Sequence, residues 1–167
     1  MQNPAKLCVW LTFDSRRLES IILRLSEQFA GPIFQPHCTI IGKTDVALVR
    51  LKSAVINTAE QLNIREVHID KIGFSDEFWE SYYLELAEDQ VIIRLHNKLT
   101  EILGIDQKSD YFPHISLMYN SINEIEKRKI KLPIEIGETI NIRSLQITEC
   151  GDRVENWKPV FEMKINS

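Results

Sequence analysis

The sequence has no excess of basic residues. Its 20 lysines and arginines are outnumbered by 24 aspartates and glutamates, which gives a formal net charge of −4. Proteins that coat duplex nucleic acid need a basic surface, because much of their affinity comes from displacing the counterions around the phosphates. The composition therefore disfavours that class, although a few groups could still hold a small or terminal phosphate.

Cysteine is scarce, and long apolar runs are missing. The three cysteines, Cys8, Cys38 and Cys150, are odd in number and lack Cys-x-x-Cys spacing, which argues against a disulfide framework or a structural zinc site. Cys8 and Cys38 lie in apolar runs and are predicted to be buried thiols. No stretch approaches the 18 apolar residues of a membrane span, and no secretory leader is recognisable. We expect a soluble cytoplasmic protein with no membrane association.

The hydrophobic content and the order of predicted elements indicate the fold class. Hydrophobic residues make up 44% of the 167 residues, which is typical of a globular domain. The patterns predict the order β-α-β-α-β-β-α-β-α-β-β. Adjacent strands that form hairpins favour an α+β fold with antiparallel pairing over a parallel sheet. Each half contains a helix followed by a strand that starts with Pro-His, so we predict two related lobes facing each other within a single domain, residues 1–167.

The two Pro-His strands carry the chemistry. The first reads PHCTI from residue 36 and the second PHISL from residue 113. Alternate residues of a strand point to one face, so His37 and Thr39 share a face, and so do His114 and Ser116. Two such strands facing each other would place two imidazoles and two hydroxyls around one pocket.

This set of groups suits attack on a phosphodiester. A neutral histidine can take a proton from water while a protonated one gives a proton to the leaving oxygen, and the imidazole pKa near neutrality allows both forms. The hydroxyls of Thr39 and Ser116 can donate to phosphate oxygens. We therefore expect no metal and no cofactor. Both motifs are chemically alike, so the sequence leaves open which histidine is the base.

The strings CVWLTF, PHCTIIG, SYYLEL and FPHISLMY resemble the 2H phosphoesterase superfamily, named for two H-x-[ST] motifs, and are most similar to its small cyclic phosphodiesterases. The resemblance implies a bilobal fold in which two antiparallel-sheet lobes with outer helices surround a central cleft. It implies His37 and His114 as the catalytic pair, with Thr39 and Ser116 on the phosphate. The tyrosine that follows the second motif, Tyr119, is implied to reach the phosphate as well.

The implied activity is hydrolysis of a 2′,3′-cyclic nucleotide, or of ADP-ribose 1″,2″-cyclic phosphate, to a phosphomonoester by a monomer. Two alternatives stay open. One is an RNA-end 2′-5′ ligase or oligonucleotide phosphodiesterase of the same superfamily, for which RNA ends would be partners, although the acidic charge counts against long RNA. The other is a non-catalytic nucleotide-binding module, which the intact motifs disfavour.

Several further residues have two interpretations. By strand alternation, Trp10 and Tyr83 would line the pocket and stack on a base, or would pack between helix and sheet. The polar loop at 105–112 would be a lid or an ordinary connection. His96 and the charged run at 124–129 are predicted to lie on solvated helix faces, with Glu124 paired to Arg128.

Overall fold

The computed structural model describes residues 6–61, 63–87, 90–107 and 110–165. Within these ranges the chain forms seven strands, four α-helices and two short 3₁₀ turns. The strands are β1 (Lys6–Phe13), β2 (His37–Thr44), β3 (Glu66–Phe74), β4 (Tyr82–Leu86), β5 (His114–Met118), β6 (Thr139–Cys150) and β7 (Lys158–Lys164). The helices are α1 (Arg16–Phe29), α2 (Leu48–Gln61), α3 (Gln90–Leu103) and α4 (Glu124–Arg128), and the 3₁₀ turns are Phe78–Glu80 and Val154–Asn156.

All strand pairings are antiparallel, and they follow the order β2-β1-β6-β3-β4-β5. Strand β7 also pairs with β6, along the edge opposite to β1. Strand β6 joins two lobes. Most of its length lies between β1 and β7, whereas Thr139–Asn141 at its beginning pairs with β3. One lobe therefore contains β2, β1, β6 and β7, and the other contains β3, β4 and β5. This confirms the predicted α+β fold with two antiparallel lobes.

Local sequence signals explain how the helices begin and what they bury. Helix α1 starts where the Ser15 hydroxyl accepts a hydrogen bond from the Leu18 amide and so caps the helix. Its apolar face, including Leu18, Ile22 and Leu25, is almost fully buried. Each such side chain contributes roughly 1.5–3 kcal/mol through burial. Among the described residues, no helix is long and apolar enough to cross a membrane.

His96 contradicts the prediction of a solvated helix face. Its side chain on α3 is only 5% exposed, and Nδ1 donates to the carbonyl oxygen of Ile40 over 2.7 Å. Its ring stacks on that of Tyr111, whose hydroxyl donates to the Thr39 carbonyl over 2.9 Å. Strand β2 lies at the edge of the sheet and its register with β1 shifts at Ile40, so these carbonyls need donors from outside the sheet and would be costly to bury unpaired. His96 and Tyr111 satisfy them.

Lys127 is a second correction within the charged run. The predicted Glu124–Arg128 ion pair is present on the exposed face of α4. Lys127, however, is only 1% exposed, and its Nζ donates to the carbonyl oxygen of Ser75 over 2.6 Å. The buried ammonium thereby anchors the segment that connects β3 to β4. The charge pattern alone could not single out this lysine, because the carbonyl it serves lies 52 residues away.

We expect Lys127→Met to lower the free energy of unfolding by about 1–3 kcal/mol, because the Ser75 carbonyl would stay buried without its donor. Urea denaturation measures the change. Lys129→Met is the matched control, since this lysine lies next to the same helix, is exposed and pairs with Glu126 at the surface. Its effect should stay within about 0.5 kcal/mol. Equal effects of the two substitutions would contradict the anchoring role.

Candidate active site

The two motif histidines occupy equivalent positions in the two lobes. His37 is the first residue of β2, and His114 is the first residue of β5. Nδ1 of His37 lies 2.7 Å from the carbonyl oxygen of Gln35, and Nδ1 of His114 lies 3.2 Å from that of Phe112. A carbonyl can only accept, so each Nδ1 carries a hydrogen and donates it. In the neutral ring, Nε2 is then the basic atom, free to act on a ligand.

A cavity of about 250 Å³ brings the predicted groups together. Its lining includes both histidines and both motif hydroxyls, together with Tyr119. Tyr119 has the strand parity of the core-facing residues, but it reaches the cavity because β5 ends one residue earlier, at Met118. The imidazole–hydroxyl pairs of the two lobes thus converge on one space.

A second cavity of about 620 Å³ adjoins the first and shares part of its lining. The residues common to both are Thr39, Gly42, Lys43, Glu80 and His114. The second cavity is further lined by Asp106, Gln107, Asp110, Tyr111 and Phe112. The predicted lid or connection at 105–112 therefore borders the cleft, while its residues 108 and 109 lie outside the described ones. A groove of about 670 Å³ beside Asp14 and Arg143 contains none of the predicted site residues.

Burial controls the protonation of the two imidazoles. Desolvation lowers the pKa of His37 to about 4, against a smaller opposing effect of the Gln35 carbonyl, and the nearby His114 lowers it further. Burial also lowers the pKa of His114. The Phe112 carbonyl and the carboxylates of Glu80 and Glu85 act in the other direction. His37 is therefore neutral at pH 7, and His114 is the ring whose carboxylate neighbours favour a proton.

The low pKa of His37 predicts a pH-dependent loss of stability. Between the unfolded value of about 6.5 and the folded value of about 4, the unfolded chain binds a proton that the folded chain does not. The contribution of neutral His37 to the free energy of unfolding is complete above about pH 6.5. It decreases by as much as about 3 kcal/mol as the pH falls through 4. In urea denaturation at several pH values, His37→Asn should give a shallower dependence. His68→Asn, at an exposed position, should behave like the wild type, and parallel curves for wild type and His37→Asn would contradict the prediction.

Trp10 lines the cavity, but one face of its indole is already occupied. The ring stacks on that of His37, with centroids 3.7 Å apart and planes at 17°. The edge of Trp157 packs against it at 5.3 Å. Trp10 is only 4% exposed, so its position fits support of the His37 ring better than a free stacking platform for a base.

Tyr83 lines neither of the two cavities, which fits the second of its two interpretations, packing, rather than a place on the pocket wall. Its ring lies 5.3 Å from that of His114 and 5.7 Å from that of Phe112. It also covers its cross-strand partner Gly73, where a Cβ atom would approach the ring to 2.4 Å. Because Gly73 has no side chain, the Tyr83 ring can lie directly over it.

Sequence reasoning missed several residues of the cavity wall. Trp79 and Glu80 come from the 3₁₀ turn between β3 and β4, and Trp157 follows the second 3₁₀ turn. Cys8 and Cys150, both free thiols, also line the cavity and are buried, as is Cys38, which agrees with the prediction for Cys8 and Cys38. An available signal was the pair of bulky aromatic residues in a hairpin connection, where polar residues are usual.

The cavity lining includes histidine, cysteine and glutamate side chains, which are residue types that can ligate metals. Within the described parts of the chain, no group of three or more histidine, cysteine, aspartate or glutamate side chains could hold a metal ion. The two motif histidines face the cavity with hydroxyl and aromatic neighbours instead. The arrangement suits proton transfer and hydrogen bonding to an anion.

Comparisons with known proteins show the family of this chain and support its fold. The family model described as "Cyclic phosphodiesterase-like protein" matches residues 11–165. Over 170 residues the chain is 22% identical to the "Cyclic phosphodiesterase" of Arabidopsis thaliana, covering 95% of this chain and 94% of that protein. E. coli LigT complexed with 3′-AMP superposes with a TM-score of 0.64 at 13% identity, covering 99% of this chain and all of the other. The protein TT0787 of Thermus thermophilus gives a TM-score of 0.65 at 13% identity, with 96% and 97% covered.

Proposed function

Since the chain belongs to the cyclic phosphodiesterase-like family, within the 2H phosphoesterase superfamily, we propose that it hydrolyses a cyclic phosphodiester on a nucleotide-like substrate to a phosphomonoester without a metal ion. The substrate would be a 2′,3′-cyclic nucleotide or ADP-ribose 1″,2″-cyclic phosphate. The observation that carries the proposal is the meeting of two imidazoles from different lobes in one cavity, His37 buried and His114 half-buried, each with Nδ1 bonded to a main-chain carbonyl.

The phosphate would lie among three hydroxyl groups. Thr39 and Ser116 line the cavity beside the two imidazoles, and each can donate to a non-bridging phosphate oxygen, Ser116 by turning its one hydrogen away from the Trp79 carbonyl. The Tyr119 hydroxyl lies beside that of Ser116, and burial raises its pKa, which keeps it a donor at neutral pH. Charge that develops on the phosphate oxygens would thus meet fixed dipoles, which is how oxyanions are stabilised in buried sites.

Burial lowers the pKa of both rings, but the carboxylates of Glu80 and Glu85 oppose this effect at His114 alone, so we assign His37 as the base and His114 as the acid. Neutral His37 takes a proton from a water molecule as the water oxygen bonds to phosphorus. Protonated His114 gives its proton to the sugar oxygen as the ring P–O bond breaks. Glu80 and Glu85, whose carboxylates act on His114, favour its charged form. Exchange with solvent then restores both rings.

The test is hydrolysis of 2′,3′-cyclic mononucleotides and of ADP-ribose 1″,2″-cyclic phosphate in the presence of EDTA, followed by phosphorus NMR. We expect turnover to a monoester that chelation leaves unchanged. Loss of activity on chelation would indicate a metal enzyme. Binding without turnover would indicate the non-catalytic nucleotide-binding module.

The same assay distinguishes the proposed function from the alternative in which RNA ends are the substrate. Three carboxylate residues, Glu80, Asp106 and Asp110, line the cavity adjoining the histidines, and their charge opposes an extended polyanionic strand there. We therefore expect cyclic mononucleotides to react at least as fast as short RNAs that end in a cyclic phosphate. Turnover of RNA ends alone, or joining of RNA ends, would support the oligonucleotide phosphodiesterase or 2′-5′ ligase instead.

A further inference from the structure

Trp79 lies at the mouth of the cavity with much of its surface free. The residue is 43% exposed and yet contributes to the lining that contains both histidines. The Tyr119 ring meets it edge-on at 5.1 Å, and Trp157 stacks on one side of it at 5.9 Å with planes at 25°, so a ligand would use the part of the indole that stays exposed. The Lys43 ammonium lies over the indole, 5.9 Å from its centroid. A large aromatic surface exposed at a cavity entrance is suited to stacking on a planar ligand group.

The turn that carries Trp79 is held in place by hydrogen bonds. The Ser75 hydroxyl donates to the Glu80 carbonyl over 3.0 Å and accepts from the Glu77 amide over 3.1 Å. The buried Lys127 ammonium bonds to the Ser75 carbonyl. Such preorganisation lowers the entropy that a ligand must give up when it is bound.

Trp79 is also close to the proposed phosphate position. The Ser116 hydroxyl donates to the Trp79 carbonyl over 3.3 Å, so one hydrogen bond separates the turn from a group proposed to contact the phosphate. In a nucleoside 2′,3′-cyclic phosphate the base is on the same sugar as the phosphorus and would lie within reach of the indole. In ADP-ribose 1″,2″-cyclic phosphate, a second ribose and a diphosphate separate the adenine from the cyclic phosphate.

The charges of the adjoining cavity point in the same direction. Its lining includes the carboxylates of Glu80, Asp106 and Asp110, against the ammonium of Lys43. A diphosphate that extends from the cyclic phosphate into this space would bring like charges together, which costs binding energy. A nucleoside 2′,3′-cyclic phosphate has no diphosphate and avoids this repulsion.

We infer that the chain selects nucleoside 2′,3′-cyclic phosphates over ADP-ribose 1″,2″-cyclic phosphate, with Trp79 stacking on the nucleobase and the acidic cavity repelling the diphosphate. This inference rests on the proposed function and narrows its substrate class. Stacking on an aromatic side chain tolerates different bases, so the selection is for the presence of a base rather than for its identity.

The experiment compares three substrates: adenosine 2′,3′-cyclic phosphate, its abasic 1-O-methylribose analogue, and ADP-ribose 1″,2″-cyclic phosphate. Trp79→Ala should lower kcat/KM for the adenosine substrate by about tenfold or more, the usual effect of removing a stacking residue, and leave the abasic analogue unchanged. Trp79→Phe should recover most of the loss. Phe78→Ala is the comparison variant, because this neighbouring aromatic residue is 38% exposed and packs against Trp79 at 4.9 Å but lines neither cavity. Its loss on the adenosine substrate should be smaller than that of Trp79→Ala.

The acidic wall is tested with the double substitution Asp106→Asn, Asp110→Asn. It should raise kcat/KM for ADP-ribose 1″,2″-cyclic phosphate by at least about twofold relative to the adenosine substrate, because like-charge repulsion is removed. An unchanged ratio would overturn the repulsion of the diphosphate. Asp70→Asn, at an exposed position outside both cavities, should leave the ratio unchanged.

Equal losses on the adenosine and abasic substrates with Trp79→Ala would overturn the inference, because a merely structural role lowers both. A wild-type preference for ADP-ribose 1″,2″-cyclic phosphate would overturn it as well. If no substrate turns over, the proposed function fails, and calorimetry with the product analogue adenosine 2′-monophosphate still decides the inference. Binding must then weaken by about tenfold in Trp79→Ala, and unchanged binding would refute stacking.

Discussion

Replacing His37 or His114 by alanine is expected to lower kcat on a cyclic nucleotide by about 100-fold or more, the usual effect of losing a general acid or base. Both rings lie at the starts of β2 and β5, and both line the cavity in which the phosphate is proposed to lie. Initial rates and circular dichroism of each variant measure activity and fold. His68→Ala is the matched control, because this histidine is exposed on β3 and lines neither cavity.

A substrate with sulfur in place of the bridging oxygen that leaves can separate the two histidine roles. A thiolate departs without protonation, so the acid becomes dispensable while the base does not. With this substrate His114→Ala should recover most of its loss and His37→Ala should not, since His114 has the carboxylate neighbours. Recovery by His37→Ala instead would reverse the roles. Wild-type rates from both alanine variants with the oxygen substrate would refute two-histidine catalysis.

Removing one motif hydroxyl should have the second largest effect. Thr39→Ala and Ser116→Ala are each expected to cost roughly 1–3 kcal/mol of transition-state stabilisation, or about 5- to 150-fold in kcat/KM. Both hydroxyls line the cavity, where unpaired phosphate charge would be poorly solvated. Steady-state kinetics measure the loss, and a fall in kcat rather than a rise in KM alone would show that the contact strengthens in the transition state.

Hydroxyl-retaining substitutions provide the control for these variants. Thr39→Ser and Ser116→Thr keep the donor and should retain most of the activity. The Ser116 variants need one further readout, because this hydroxyl also donates to the Trp79 carbonyl. A structural disturbance of the turn would lower the melting temperature of Ser116→Ala, whereas loss of a phosphate contact alone would not. Alanine variants with unchanged kcat/KM would contradict phosphate binding by these residues.

The residues that strand periodicity places could be predicted from the sequence. A two-residue repeat determines which side chains share a face of a strand, and it places each motif histidine on the same face as its hydroxyl residue. Antiparallel pairing followed from the hairpin signals around β3 and β4. Strand alternation would turn Tyr119 away from the cavity, but β5 ends at Met118, so the alternation does not apply to it. Periodicity does not define where a strand ends.

Contacts made by distant elements could not be predicted in this way. His96 is buried because β2 lies at a sheet edge and exposes carbonyls to α3, and nothing within the α3 sequence encodes that neighbour. Lys127 is buried for the same kind of reason, since its acceptor lies on another segment. Trp79 and Trp157 lie in or next to turns of different lobes, and their rings meet at the cavity wall.

The hydrogen bonds that hold the two imidazoles have a consequence for the direction of the proton relay. Each ring is oriented by a main-chain oxygen two residues earlier rather than by an acidic side chain, and the device is the same in both lobes. These hydrogen bonds therefore do not determine which histidine is the base and which is the acid. Burial lowers the pKa of both rings, and Glu80 and Glu85 oppose this effect at His114 alone. Negative charge placed beside His37 instead would favour the protonated form of that ring and leave intact every bond that orients the two.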